Sequence, residues 1–421
     1  MKETATIPRR AWLWVFAAYL FQSIPAAVRD EALPAFLKKM GYSDTQNTIV
    51  VSIFGLIVAL KILLAPLVSA FRPKGFILAT EAIISLLLFS IAMEMADEKM
   101  SVQLIFGLLV AVSLAAAAHD FALDGYFVST LDDRRRATHS GLLSFASKLG
   151  MVLAGPGLIW LAGRIMDHGP QSSDAWSWAL ITVATIAFVS LIINAAGLSR
   201  DPTTKADGRT VAQRFMEIKE AFSSLITDSR LFAILGLILF YRASEIHMAH
   251  ILKPFSLSMT KGGLGLDIQT YAEMRIPTVI IATALGGIIG SQVIARIGLG
   301  RSLIPLGIAM HIPLATIAWL AANGSHDLWI IRSVFFIEHL AYGAGFCALI
   351  LAMMKVAAGP SAAIRYALLS TFSLLAVYLP GLWAGFLSDK LGYAHYFLFA
   401  LSLAIPGIIS AVVAKRHFSE A

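Results

Sequence analysis

The segment Leu104-Ile-Phe-Gly-Leu-Leu-Val-Ala-Val-Ser-Leu-Ala-Ala-Ala-Ala118 is apolar on every face of a helix. A strand of a membrane β-barrel would instead alternate apolar and polar residues. With its flanking residues the segment covers about 102–128, which is long enough for an α-helix to cross a ~30 Å hydrocarbon core. The run Ile83–Ala92 has the same character. Both segments therefore predict membrane-spanning helices.

Similar apolar stretches recur along the 421-residue chain, in which 58% of residues are hydrophobic and only 14% are charged. A soluble domain needs a more highly charged surface. The first apolar stretch follows basic residues, as the apolar region of a signal peptide does. A similar stretch occurs at the corresponding place in the second half of the chain, which favours a first helix that is not cleaved. The sequence therefore predicts an all-α integral membrane protein with 12 transmembrane helices, near 11–33, 48–70, 76–95, 102–128, 139–164, 176–198, 229–256, 269–295, 301–321, 328–355, 364–387 and 394–414.

The basic residues are placed as in a membrane protein, although the formal net charge of +7 is also compatible with nucleic-acid binding. If the N-terminus is internal, the cytoplasmic segments carry most of the Lys and Arg residues, including the run Arg134–Arg136. This bias predicts that both termini are cytoplasmic and that no nucleic acid is bound. The single cysteine, Cys347, excludes an intramolecular disulfide and does not identify the compartment.

The chain contains an internal repeat with an offset of about 220 positions. Pro34 corresponds to Pro254, and His119-Asp120 corresponds to Glu338-His339. The segment that begins at Gly157 likewise parallels the one that begins at Gly381. A polar, partly helical stretch separates the two copies. The expected organisation is an N-terminal six-helix bundle over 1–198, a cytoplasmic linker over 199–228 and a C-terminal six-helix bundle over 229–421.

One predicted loop carries a known pattern, Gly290-Ser-Gln-Val-Ile-Ala-Arg296-Ile-Gly298-Leu-Gly-Arg301. It resembles the loop motif of major facilitator proteins, which is Gly, four residues, Asp-Arg, one residue, Gly and then basic residues. Ala295 replaces the acid here, and Ser69 stands at the same place in the first half. The resemblance implies the major facilitator fold, with two pseudo-symmetric six-helix bundles, substrate near the midplane and alternating access.

Several further segments resemble the AmpG-type permeases, a group that includes muropeptide importers, acetyl-CoA carriers and siderophore permeases. The resemblance covers most of the chain and lies in Leu60–Leu67 (LKILLAPL), Ala118–Tyr126 (AHDFALDGY), Lys148–Met151 (KLGM), Glu338–Gly345 (EHLAYGAG) and Arg365–Ser370 (RYALLS). Region 25–34 departs from the muropeptide permeases and is more similar to the siderophore branch. The resemblance implies a bacterial inner-membrane importer and leaves its substrate open.

Ionisable residues within apolar spans are functional candidates, because they are costly there unless they face a partner or a cavity. Asp120 and Asp124 lie one turn apart on one helix face and are expected to couple a proton. The alternative is that Asp124 pairs with Lys148 or Lys61 and holds helices together. The predicted cavity residues of the first half are Lys61, His119, Tyr126 and Lys148.

The second half contains a comparable set of candidates. Arg242 and Glu245 are three residues apart and can pair on one face. Histidine titrates near neutrality, so His247 and His250, together with Glu245, are further candidates for proton coupling. Two histidines without a third ligand are a weak metal signal, and no metal or cofactor is expected. The predicted cavity residues of this half are Arg242, Glu338, His339, Tyr342 and Tyr378.

The sequence thus favours a secondary active transporter, not an enzyme, that imports a small amphiphilic solute such as an anhydro-muropeptide with protons. Ferric siderophores are the main alternative, and an acetyl-CoA-type or drug substrate is the next. No Walker-type Gly-x-x-x-x-Gly-Lys-[Ser/Thr] stretch occurs, so the chain carries no ATPase module of its own. A membrane-embedded enzyme and a non-transporting sensor remain alternatives. The expected partners are the solute, protons and the lipid bilayer, and the expected oligomeric state is a monomer.

Overall fold

The computed structural model describes residues 11–418 except 60, 69–70, 98, 132, 168–171, 199–210, 261, 325–326 and 360. Ser69, the residue at the acid position of the first-half loop motif, lies outside these residues. All regular structure in the described part is helical. Eleven of its helical stretches are long and apolar enough to cross a membrane.

The first group of helices runs to residue 197. A π-helical turn, Val28–Ala32, joins α1 to α2 just after Pro25, which lies inside α1. Proline and π-helical turns are common causes of helix bending, and both occur in this first membrane-spanning stretch. The helices are α1 Ala11–Ala27, α2 Leu33–Lys39, α3 Asp44–Ala59, α4 Lys61–Val68, α5 Pro73–Ala96, α6 Val102–Thr130, α7 Asp133–Ala154, α8 Pro156–Met166 and α9 Ser172–Gly197.

The second group begins inside the predicted linker, where α10 agrees with the expectation that this polar stretch is partly helical. Two more π-helical turns, Leu237–Tyr241 and Thr278–Ala282, interrupt the membrane helices, and the second of them follows Pro277. The helices are α10 Val211–Ile226, α11 Leu231–Gly236, α12 Ala243–Leu257, α13 Ile268–Pro277, α14 Thr283–Ile297, α15 Leu299–Asn323, α16 Leu328–Ala357, α17 Ala362–Tyr378, α18 Gly381–Ser402 and α19 Ala404–Phe418.

The last apolar stretch, Ile364–Phe418, contains enough residues for two membrane crossings. At 1.5 Å per residue its 55 residues would extend about 80 Å, more than twice the thickness of the hydrocarbon core. Gly392 breaks it with a φ of 73°, a left-handed conformation that favours glycine. Counting two arms around Gly392, the described helices agree with the twelve spans predicted from the sequence.

Corresponding helices of the two sequence repeats are interrupted at equivalent places. Pro156 begins α8 directly after α7, and Pro380 stands directly before α18. Each proline lacks a backbone N–H and cannot continue the hydrogen-bond ladder of the preceding helix. The internal repeat is therefore visible in the helix boundaries as well as in the sequence.

Packing groups the chain into two compact units. One comprises Met1–Leu33 and Ile57–Met216, and the other comprises Pro34–Leu56 and Glu217–Ala421. The predicted bundles, 1–198 and 229–421, follow chain order, whereas this grouping places residues 34–56 with the second unit. The predicted boundaries remain a prediction.

A dense polar network explains why residues 34–56 belong to the second unit. Asp44 is fully buried and accepts hydrogen bonds from Lys38 Nζ at 2.6 Å and Ser388 Oγ at 3.2 Å. The backbone of α3 also lies close to Gly385, where an added Cβ would come 2.2 Å from the Asp44 carbonyl oxygen. Pairing satisfies the buried carboxylate, and glycine permits the close approach.

Glycines set the position of α16 in the same unit. An added Cβ on Gly286 of α14 would come 1.9 Å from the Leu340 carbonyl oxygen, and one on Gly290 would come 2.4 Å from that of Ala344. Gly343 of α16 faces the backbone of α14 in the same way. Small residues allow this backbone contact between membrane helices. This close backbone contact sets the position of the helix that carries Glu338 and His339.

Candidate functional site

In the first unit, Asp120 of α6 is the centre of an ion-pair cluster. Its Oδ2 lies 2.5 Å from Lys61 Nζ of α4, and its Oδ1 accepts a hydrogen bond from Gln22 Nε2 of α1. The side chains of Lys61 and Asp120 are 19% and 24% exposed. Lys61 and Asp120, two of the sequence candidates, are therefore brought together at a partly exposed site. Gln22 was not predicted.

Asp124 follows one helical turn after Asp120 and is exposed. The Tyr19 hydroxyl donates to Asp124 Oδ1 at 3.3 Å. Among the described residues no cation lies within ion-pair distance of Asp124, so the pairing with Lys61 or Lys148 considered above does not occur. Of the two carboxylates, only Asp120 has a lysine within ion-pair distance in the part of the chain that the structure describes.

Lys148 lies half-buried in α7. Within the described ranges no carboxylate is within ion-pair distance of its ammonium group. Gly150, two residues away, brings α7 against α1, because an added Cβ there would come 2.3 Å from the Leu20 carbonyl oxygen. Lys148 thus has no ion-pair partner in the described part of the chain, and its helix packs closely against α1, which carries Tyr19 and Gln22.

His119 points away from the Asp120 cluster and lies in the interior of the same unit. Its Nε2 is 3.3 Å from Glu81 Oε1 of α5, which also accepts from Asn194 Nδ2 of α9 at 2.7 Å. The relative exposures of Glu81, His119 and Asn194 are 0%, 1% and 0%. Sequence reasoning missed Glu81 and Asn194. Glu81 was detectable as an acid within an apolar run, whereas an uncharged asparagine gives no comparable signal.

Tyr126 is also buried, with a relative exposure of 1%. Its ring packs edge-on against the indole of Trp14, with ring centroids 5.1 Å apart. The structure thus places this predicted cavity residue in the packing between α1 and α6.

In the second unit, Arg242 joins two of the predicted groups. Its Nε donates to Glu245 Oε2 at 2.9 Å. Its guanidinium carbon lies 4.4 Å from the ring centroid of Phe346 and 5.0 Å from that of Tyr342. Arg242 directly follows the π-helical turn Leu237–Tyr241 and precedes α12. The arginine is therefore held between a carboxylate and two aromatic rings of α16, a combination of salt bridge and cation–π contact.

Glu338 and His339 of α16 form a second charged group in this unit. His339 Nδ1 contacts Glu338 Oε2, and Arg275 Nη1 of α13 contacts His339 Nε2. Glu338 and Arg275 are both buried. Arg275 was not among the sequence candidates, although it is a basic residue within the predicted eighth span and satisfies the same criterion as Lys61.

The remaining candidates of the second half lie elsewhere in the unit. His247 Nδ1 is 2.8 Å from the Ala243 carbonyl oxygen, and its ring centroid lies 6.2 Å from that of Trp383 and 5.9 Å from that of Phe399. His250 Nε2 is 2.8 Å from the Val377 carbonyl oxygen. These histidines therefore do not join Arg242 and Glu245.

Tyr378 also lies apart from the charged groups. Its buried ring is packed against Gly55, where an added Cβ would come 2.2 Å from Cδ1. Across the described residues, no three His, Cys, Asp or Glu side chains are grouped so as to hold a metal ion.

An all-helical, multi-pass chain with ionic clusters inside its apolar spans has the character of a membrane transporter. The sequence profile of the Major Facilitator Superfamily matches residues 11–376. The chain belongs to this superfamily.

Individual relatives agree with this assignment. The chain is 24% identical to a putative transporter, AmpG 4, of Rickettsia conorii over 406 residues, 94% of each chain. It is also 24% identical to the anhydromuropeptide permease of Escherichia coli K12, with 97% of this chain and 80% of the permease covered. Among solved structures, a D-xylose–proton symporter matches with a TM-score of 0.73 at 11% identity, covering 97% of each chain. The last likeness shows the fold alone.

Proposed function

We propose that this membrane transporter is a secondary active importer that uses the proton gradient to carry a small amphiphilic, anionic solute of the anhydro-muropeptide type by alternating access. The observation that carries the proposal is the arrangement Lys61–Asp120–Asp124, in which two carboxylates lie on one helix face and Lys61 pairs with Asp120 and not with Asp124. Relatives along nearly the whole chain include a protein named as an anhydromuropeptide permease.

The proton-coupling part of the proposal concerns Asp124. Lys61 compensates the charge of Asp120 at 2.5 Å. An ionised Asp124 would add a second negative charge one turn away, without a cation of its own among the described residues. Like charges at this separation favour protonation of one of the two groups. Because Asp120 has a cation partner and Asp124 has none among the described residues, we assign Asp124 as the exchanging carboxylate and Asp120 as its fixed neighbour.

The solute part of the proposal concerns Lys148 and Arg242. An unpaired ammonium on a membrane helix favours a ligand that carries a carboxylate or a phosphate. The stacked Arg242, Tyr342 and Phe346 provide apolar and cationic faces of the kind that bind sugars and peptide side chains. A sugar–peptide with free carboxylates offers an anionic group to an ammonium such as that of Lys148, which is why we prefer this class to a neutral sugar.

The proposal is tested in proteoliposomes that contain a pH-sensitive dye. An inward proton gradient is imposed, and an anhydro-muropeptide, ferric siderophores and acetyl-CoA are added in separate assays. We expect the anhydro-muropeptide to accumulate and to acidify the lumen. Accumulation of a siderophore or of acetyl-CoA instead would reassign the solute class, and equilibration of solute without proton movement would refute the coupling.

The variant Asp124→Asn tests the assigned carboxylate. It is expected to abolish accumulation driven by the proton gradient while solute exchange across the membrane persists. The matched control is Asp97→Asn, the same change at an exposed acid of the first unit that lies beyond the end of α5. Wild-type accumulation by Asp124→Asn at acid pH would exclude Asp124 as the coupling residue.

A further inference from the structure

The interior of the first unit contains a polar group that the proposed coupling site does not use. Glu81, His119 and Asn194 come from three different helices, α5, α6 and α9, and are almost completely inaccessible. One carboxylate oxygen, Glu81 Oε1, accepts from Asn194 and faces the imidazole Nε2. Among the described residues nothing hydrogen-bonds the other oxygen, Glu81 Oε2, or the amide oxygen of Asn194.

Charge balance determines which protonation state of Glu81 and His119 is favourable in the membrane interior. An ionised carboxylate buried without a cation is strongly unfavourable in the membrane interior. Among the described residues, the only titratable side chain that hydrogen-bonds or ion-pairs with Glu81 is His119, since Asn194 is neutral. The ring of His119 is covered on another side by Phe21 of α1, with ring centroids 5.3 Å apart. The pair is therefore electrically neutral only when it holds one proton between Glu81 and Nε2.

The position of the pair links it to the coupling carboxylates. His119 and Asp120 are consecutive residues of α6, and they point into different surroundings. Asp120 is partly exposed and faces α1 and α4, whereas His119 is enclosed and faces α5. A movement of α6 relative to both α4 and α5 would therefore change the surroundings of Asp120 and the distance from the imidazole to Glu81 together.

We propose that Glu81 and His119, oriented by Asn194, form a second proton-holding site that is closed in this conformation and exchanges its proton during the transport cycle. In the loaded pair one proton is shared between a Glu81 oxygen and His119 Nε2. On unloading, that proton leaves to water and the pair becomes a carboxylate with a neutral imidazole. The exchange step rests on the proposed proton coupling, whereas the existence of the site does not.

The site itself is tested without any transport. Infrared difference spectra of the protein in lipid nanodiscs are recorded between acid and alkaline pH, with Asp124→Asn as the background so that the exposed acid does not contribute. We expect a carbonyl band of a protonated carboxylic acid that disappears in Glu81→Gln. An unchanged acid band in Glu81→Gln would overturn the proposal.

Two further variants cover the case in which Glu81→Gln does not fold, which is checked by gel filtration in detergent. His119→Gln removes the proton partner and keeps a hydrogen-bonding side chain, and it is expected to leave Glu81 protonated over the whole pH range. Asn194→Ala removes one donor and is expected to shift the band without abolishing it. If the pair only packs helices, neither variant changes the acid band, and the proposal fails.

The exchange step is tested by the number of protons moved per solute in proteoliposomes. Glu81→Gln is expected to lower this number by one while transport continues, in contrast to Asp124→Asn, which abolishes accumulation. A wild-type proton number in Glu81→Gln, together with an intact infrared result, would overturn the exchange step. Failure of proton coupling in the wild-type protein would instead be a failure of the proposed function and would leave the infrared assignment standing.

Discussion

The ion pair between Lys61 and Asp120 leads to a quantitative prediction about stability. The charged atoms are 2.5 Å apart, and both side chains are about four-fifths buried. With an effective dielectric constant of about 20, Coulomb attraction at this distance is about 6 to 7 kcal/mol, and desolvation offsets a large part of it. Removing one partner of a buried pair typically costs about 3 to 5 kcal/mol, because the other charge is left uncompensated.

Remaining access to water lowers this range, so we expect Lys61→Met and Asp120→Asn each to lose about 2 to 3 kcal/mol. The double variant leaves no uncompensated charge and should lose less than the sum of the two single changes. The predicted coupling free energy is about 2 kcal/mol, which is within the range measured for residues in one salt-bridge network.

The measurement is a double-mutant cycle based on unfolding by sodium dodecyl sulfate from mixed micelles, followed by tryptophan fluorescence. The matched controls are Asp97→Asn and Lys99→Met, which change the same residue types at exposed positions after α5 and should each cost under about 0.5 kcal/mol. Single variants that cost less than 1 kcal/mol and add in the double variant would refute the reasoning, because the two charges would then be independently solvated.

Three further predictions follow from other contacts. Lys148→Gln should raise the Kd for an anionic solute at least tenfold and leave that for an amidated, uncharged analogue nearly unchanged; isothermal titration would contradict this if both affinities fell equally. At the start of α11, hydrogen bonding from Arg230 lowers the pKa of Asp228 to about 2, so Asp228→Asn should lose about 1 kcal/mol at pH 7. A carboxylate whose pKa is lowered in the folded state stabilises the fold at pH values above its unfolded pKa of about 4. The difference in unfolding free energy between wild type and Asp228→Asn should therefore vanish as the pH falls from about 4 to 2. A difference that chemical unfolding shows to be independent of pH would exclude this cause. Gly286→Leu should separate α14 from α16 and lower thermal stability more than Gly287→Leu, where an added Cβ meets nothing within 4 Å; equal losses would show that the close approach is not limiting.

The sequence was sufficient for the framework of the protein. Continuous apolar segments such as Leu104–Ala118 determine membrane helices, because backbone groups in hydrocarbon must be satisfied within the helix. The internal repeat and the loop around Arg296 indicated the superfamily before any packing was known. The sequence also identified Lys61, Asp120 and Arg242 as residues of interest, because a charge inside an apolar span is visible in one dimension.

Only the tertiary structure decided which of these groups meet. Sequence spacing places Asp120 and Asp124 on one helix face, but it does not show that Lys61 approaches Asp120 and not Asp124. His119 contacts Glu81, from which it is separated by 38 positions along the chain, and Arg275 contacts His339 from a different helix. Such pairings depend on how closely and at what rotation the helices pack. Glycines such as Gly150 and Gly286 set that packing, and their effect depends on the backbone opposite each of them, which no local sequence pattern contains.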